Sequence, residues 1–86
     1  MTMFTNKYND RNNIIGIAVR NLRKDLHVSQ RELAERLEKV GIVMDKNAVQ
    51  RIEDGKRFVT DIELIGFSKL FERTPEEMIK ISMKQH

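Results

Sequence analysis

Four long polar side chains that could bind a ligand follow one another closely in the middle of the chain: Lys46, Asn47, Gln50 and Arg51. At about 100° per residue they spread over one face of a helix, and Ala48, Val49 and Ile52 lie on the opposite face. Arginine and lysine donate to guanine O6 and N7, while asparagine and glutamine form paired hydrogen bonds with adenine N6 and N7. The four residues are therefore candidates for contacts with base edges in the major groove. The alternative is a solvated helix face without a ligand.

A second helix is predicted just before this one. Ser29 and Glu32 have the spacing of a capping box, in which each side chain accepts a hydrogen bond from the other residue's backbone N–H. Apolar residues then recur at helical spacing, namely Leu33, Ala34, Leu37 and Val40. The pattern predicts an amphipathic helix over residues 30 to 40. Gly41 suits a left-handed helix end and Asp45 suits the N-cap of the next helix, so the connection has the length of a helix-turn-helix.

The stretch S-Q-R-E-L-A-E-R-L at residues 29 to 37, followed by A-V-Q-R-I-E-D-G-K-R at residues 48 to 57, resembles the phage-repressor-like helix-turn-helix family, also called the Cro or xenobiotic-response-element type. The resemblance covers roughly residues 14 to 79. It implies an all-α, compact five-helix, lambda-repressor-like domain whose helices 2 and 3 form the helix-turn-helix. It also implies binding to operator DNA, usually as a homodimer and without a cofactor.

The resemblance also implies roles for individual residues. The base readers would be the four residues named above, and the contacts to backbone phosphates would come from Gln30, Lys56 and Arg57. Arg23 and Glu53 match positions that often form an ion pair inside the domain. The chain departs from the family in two ways. The stretch from Leu37 to Asp45 is longer than usual, which we attribute to a longer helix 2 and which affects the docking angle. Two carboxylates, Asp45 and Asp54, lie near the predicted phosphate track and would weaken non-specific affinity.

The domain is predicted to span residues 13 to 84, preceded by a flexible arm over residues 1 to 12. Lys7 and Arg11 in this arm could reach DNA or a partner, and the alternative is a frayed terminus. The first helix is predicted from Asn13 to Leu26, with a core stripe formed by Ile15, Val19, Leu22 and Leu26.

Two further helices complete the predicted domain. Thr60 with Glu63, and Thr74 with Glu77 behind Pro75, have the spacing of capping boxes. The fourth helix is apolar on two sides, because Leu64, Phe67 and Phe71 lie opposite a second set of apolar residues, Ile62, Ile65 and Leu70. This second set either forms a dimer face or receives the fifth helix within the same chain.

Composition narrows the classes of function. The 86 residues have the size of one small domain, with 40% hydrophobic residues, 34% charged residues and a net charge of +3. Cysteine is absent, which fits a reducing, cytoplasmic setting. We find no apolar run of membrane-spanning length and no signal-peptide pattern near the N-terminus. His27 and His86 lack metal-ligand spacing, and no nucleophile turn or phosphate loop occurs, so we expect no catalysis, metal or cofactor.

Two functions from different classes follow. The favoured one is sequence-specific binding of double-stranded DNA by a transcriptional regulator of the repressor type. The competing one is a protein-interaction module, such as an antitoxin or a phage-encoded antagonist, that binds a protein partner through helices 4 and 5 and the arm. RNA binding is less favoured, because no pair of aromatic residues accompanies the basic side chains.

Overall fold

The computed structural model describes residues 7 to 84. In this range the chain forms five helices: α1 (Gly16–Asp25), α2 (Gln30–Lys39), α3 (Lys46–Glu53), α4 (Asp61–Phe71) and α5 (Pro75–Met83). The extended pairing within the same range is limited to an isolated bridge between Tyr8 and Arg11. The predicted all-α, five-helix class is confirmed. None of the described helices combines the length and the apolar character needed to span a membrane.

Side-chain caps fix where α2 to α5 begin. The Ser29 hydroxyl accepts a hydrogen bond from the Glu32 backbone N–H (3.0 Å), and the Glu32 carboxylate accepts one from the Ser29 N–H (2.9 Å). The same box is present at Thr60 with Glu63 and at Thr74 with Glu77. Asp45 accepts from the Ala48 N–H at 2.8 Å. These predicted caps are confirmed, and they satisfy N–H groups that a helix start leaves without intrahelical partners.

The first helix is shorter than predicted, because it starts at Gly16 rather than Asn13 and ends at Asp25. Asn13 lies before it and accepts a hydrogen bond from the Gly16 N–H (2.8 Å). The Ala18 N–H donates to the buried Ser82 hydroxyl of α5 (3.0 Å), so a distant residue completes this helix start. Beyond the other end His27 has a left-handed backbone (φ 58°). Leu26, predicted in the core, is 43% exposed as a result of this early end.

The core draws on all five helices. Its buried apolar residues are Ile15, Ala18, Val19, Leu22, Val28, Leu33, Ala34, Leu37, Ile42, Val49, Ile52, Phe67, Phe71 and Met78. Helix α3 packs against α1 and α2, α4 packs against α2 and α5, and α5 also packs against α1. Gly41 has the predicted left-handed backbone (φ 89°), and Ile42 next to it enters the core. The connection between α2 and α3 is therefore anchored at Ile42.

A buried carboxylate joins the first three helices. Glu53, at the end of α3, is 1% exposed. Its two oxygens accept hydrogen bonds from Arg23 Nε (2.7 Å) and Nη2 (3.1 Å) of α1, and Oε1 also accepts from Gln30 Nε2 of α2 (3.1 Å). The hydrogen bond to Glu53 raises the pKa of the Arg23 guanidinium. The structure thus contains the expected Arg23–Glu53 ion pair and adds Gln30 to it.

Replacing Glu53 with alanine should lower the free energy of unfolding by about 3 to 5 kcal/mol, because Arg23 would keep a largely buried charge without its partner. Urea denaturation of the parent and the variant measures the difference. Glu35→Ala is the matched control, since Glu35 is an exposed glutamate of α2. Equal midpoints for Glu53→Ala and the parent would show that this pair does not stabilise the fold.

Candidate nucleic-acid interface

The outer face of α3, formed by Lys46, Asn47, Gln50 and Arg51, is exposed along its whole length. The opposite face is fully buried at Val49 and Ile52. Within residues 7 to 84, none of the four outer side chains takes part in a hydrogen bond or an ion pair. Their donors and acceptors are therefore available to a ligand, on a helix whose other side is held by the core.

A Schellman motif ends α3 and leads to Lys56. The Lys56 N–H donates to the Arg51 carbonyl (2.8 Å), the Gly55 N–H donates to the Ile52 carbonyl (3.0 Å), and Gly55 has φ 79°. A Cβ atom at Gly55 would also lie 2.8 Å from Cζ of Arg11. Glycine therefore suits this position for two reasons, the positive φ and the close approach of Arg11. Lys56 is exposed, and its ammonium group has no partner among the described residues.

Arg57, predicted to contact a phosphate, forms an internal ion pair in the structure. Its Nη1 and Nη2 atoms donate to the two carboxylate oxygens of Glu63, both at 2.9 Å. Such two-pronged pairs are among the stronger hydrogen-bonded ion pairs in proteins. The hydrogen bond from Arg57 is the main cause that lowers the pKa of the Glu63 carboxyl. The pair ties the segment after α3 to the start of α4, and the phosphate contact of Arg57 stays a prediction.

Gln30 is also engaged inside the protein. Its side-chain nitrogen donates to Glu53, and the residue is half-buried at the start of α2. One N–H of this amide is used by Glu53, and the second has no partner among the described residues. The structure therefore adds a role in supporting α3, and the phosphate contact stays a prediction.

The two acidic residues near the outer face of α3 both have local partners. Asp45 is the N-cap of α3. Asp54 lies 2.9 Å from Nη2 of Arg20, and this ion pair offsets part of the repulsion that Asp54 would exert on phosphates.

The residues that sequence reasoning missed lie just before α1. We call residues 11 to 13 the N-terminal clamp, because their donors contact carbonyls at the end of α3 and in residues 55 to 57, which follow it. The prediction of a flexible arm through residue 12 is wrong for Arg11 and Asn12, and residues 1 to 6 lie outside the described part of the chain. Asn13 before an apolar helix is a recognisable cap signal. The acceptors of the clamp lie about 40 residues away, and nothing in the local pattern points to them.

The candidate dimer face is reduced by one residue. Ile62 and Ile65 are 70% and 47% exposed, so α5 does not cover them. They line a shallow groove between α4 and the end of α2, together with Val40 and Ile42. Leu70 is half-buried against the core, since it lies near the end of α1, and it does not belong to the exposed face.

The Arg57–Glu63 pair predicts a pH dependence. Since the folded pKa of Glu63 lies below its ordinary value, its contribution to stability is complete above about pH 4.3 and is lost as the pH falls through the folded pKa. Glu63→Gln should therefore lower the free energy of unfolding by about 1 kcal/mol at neutral pH. The deficit should shrink as the solution is acidified, as followed by urea denaturation at several pH values. Glu35→Gln is the control, and a deficit independent of pH would contradict the assignment.

Comparisons with known proteins found no matching family model, no matching curated protein and no matching solved structure. Among the described residues, no group of three or more histidine, aspartate or glutamate side chains could hold a metal ion.

Proposed function

We propose that this protein is a transcriptional regulator of the repressor type that binds double-stranded DNA with α3 in the major groove. The observation that carries the proposal is the outer face of α3: four exposed side chains without internal partners, of the types that hydrogen-bond to purine edges. The resemblance of residues 29 to 57 to the phage-repressor-like family supports the same function.

The contacts that fix α3 in place favour sequence-specific recognition over non-specific electrostatic binding to DNA. The inner face of this helix is buried, its start is capped by Asp45, and its end is held by Glu53 and Gly55. Side chains on a fixed helix lose less conformational freedom on binding than side chains on a mobile segment. The outer face of α3 would supply base contacts, and Lys56 would supply a phosphate contact that sets the register.

We further propose that the protein acts as a homodimer in the cytoplasm. Readers of this geometry commonly occupy two half-sites about 34 Å apart, one duplex turn, so two copies of α3 are needed. The exposed pair Ile62 and Ile65 is the candidate contact between the copies.

Variants of base-reading and phosphate-contacting residues should behave differently. Asn47→Ala and Arg51→Ala should each cost about 1 to 3 kcal/mol on the preferred duplex and relax base choice at one position. Lys56→Ala should weaken all duplexes alike and reduce the slope of log affinity against log salt by about 0.9, the share of one phosphate. Selection from random duplexes identifies the preferred site, and titrations at two salt concentrations measure both effects.

Lys80→Ala is the matched control for these lysine and arginine variants, because Lys80 is an exposed lysine of α5. Its affinity and salt dependence should equal those of the parent. If the variants of α3 and Lys56→Ala lost affinity equally on every sequence, the outer face of α3 would not read bases.

A protein-interaction module is the second candidate, and the exposure of Ile62 and Ile65 is the observation that favours it.

The double change Ile62→Asp with Ile65→Asp should convert the proposed dimer to a monomer in sedimentation equilibrium, because it introduces charge into an apolar contact. The same variant should still bind a single half-site through α3, with lower occupancy of paired half-sites.

The outcomes separate the two candidates. Retained half-site binding by a monomeric variant supports the DNA-binding regulator with a dimer face. A parent that selects no duplex, from random pools at low salt, would instead favour the antitoxin or antagonist type of protein-binding function. An unchanged mass in the variant would exclude Ile62 and Ile65 as the contact between copies.

A further inference from the structure

The N-terminal clamp donates to five backbone carbonyls at the end of α3 and just beyond it. Arg11 Nη2 donates to the Glu53 carbonyl (2.6 Å). Asn13 Nδ2 lies within hydrogen-bonding distance of two carbonyls, those of Ile52 (2.9 Å) and Arg57 (2.8 Å). The Asn12 N–H donates to the Gly55 carbonyl (2.7 Å), and Asn12 Nδ2 donates to the Lys56 carbonyl (3.1 Å).

Four of these acceptors, the carbonyls of Glu53, Gly55, Lys56 and Arg57, have no partner within α3 or its Schellman motif. The last carbonyls of a helix have no intrahelical donor, and the Schellman motif uses only those of Arg51 and Ile52 among them. The segment that follows α3 forms no regular secondary structure before α4 begins. Its backbone conformation therefore depends on the clamp, whose three consecutive residues supply three side-chain donors and one backbone N–H.

Within the clamp, Asn12 differs from its neighbours in what it holds. Arg11 and Asn13 contact the carbonyls of Glu53 and Ile52, which belong to α3 itself. Asn12 contacts neither of these. Its two hydrogen bonds are accepted by the carbonyls of Gly55 and Lys56. These carbonyls belong to the two peptide groups that flank the Lys56 Cα atom.

We propose that Asn12 is a positioning residue that orients Lys56 toward a DNA phosphate. This inference rests on the proposed function and deepens it. With both flanking peptide groups held, the direction of the Lys56 Cα–Cβ bond is fixed, and only the side-chain torsions remain to be ordered when the ammonium group meets a phosphate. Fixing the backbone in advance reduces the entropy lost on binding.

Asn12→Ala tests the assignment, since it removes the side-chain donor and leaves the backbone hydrogen bond to Gly55. We expect affinity for the preferred duplex and for random duplexes to fall alike, by roughly fivefold, the equivalent of about one hydrogen bond. Base preference should be unchanged. Asn21→Ala is the matched control, because Asn21 on α1 has no side-chain hydrogen bond within residues 7 to 84.

A double-mutant cycle distinguishes positioning of Lys56 from a general structural role. In a Lys56→Ala background, Asn12→Ala should cause no further loss, because the side chain that it orients is absent. In an Arg51→Ala background it should cause its full loss. An equal loss in both backgrounds, or no loss in the parent background, would overturn the proposal.

A measurement without DNA keeps this inference separate from the proposed function. Asn12→Ala should lower the NMR order parameters of the Lys56 and Arg57 amides and leave that of Val49 unchanged. If the parent bound no duplex, the proposed function would fail and the role toward phosphate would fail with it. Unchanged order at Lys56 would overturn the positioning itself, whatever the parent binds.

Discussion

A carboxylate that is removed from water must be compensated, and the position of Glu53 makes this requirement the organising constraint on how α1, α2 and α3 pack together. Burial of an ionised group is tolerated when an opposite charge and further hydrogen bonds meet it. Arg23 supplies the charge from α1 and Gln30 supplies a further donor from α2. Since both must reach the same two oxygens, α3 can dock against α1 and α2 in only a narrow range of orientations. That docking decides which side of α3 faces outward.

Internal partners also occupy several of the basic side chains, so the basic composition alone does not give the charge available to a ligand. Four arginines around α3 are engaged within the protein, through carbonyls or carboxylates: Arg11, Arg20, Arg23 and Arg57. The net charge of +3 therefore does not show which cations near α3 are free of internal partners. In the proposed complex with DNA, few phosphate contacts would make affinity depend comparatively little on salt and more on hydrogen bonds in the groove.

The connection between α2 and α3 and the exposed side of α4 are linked by one contact. Ile42 leaves the connection and packs against α4 at Gly66, where a Cβ atom would collide with it. The connection is therefore held at its centre. The exposed Ile62 and Ile65 lie beside this contact, so a partner bound there would also touch the segment that presents α3.

The sequence by itself determined the features that depend on residues three or four positions apart. Caps at Ser29, Asp45, Thr60 and Thr74 and the apolar stripes of the helices follow from local spacing, and they predicted the starts of α2 to α5 and the outward set on α3. Only the tertiary structure decided the partners of Gln30 and Arg57, the removal of Leu70 from the exposed face, and the role of residues 11 to 13. A polar side chain binds whichever acceptor the fold brings near, and for Asn12 and Asn13 those acceptors lie about 40 residues along the chain. Local sequence patterns give no information about contacts between residues so far apart in the chain, so these hydrogen-bond partners could be assigned only from the tertiary structure.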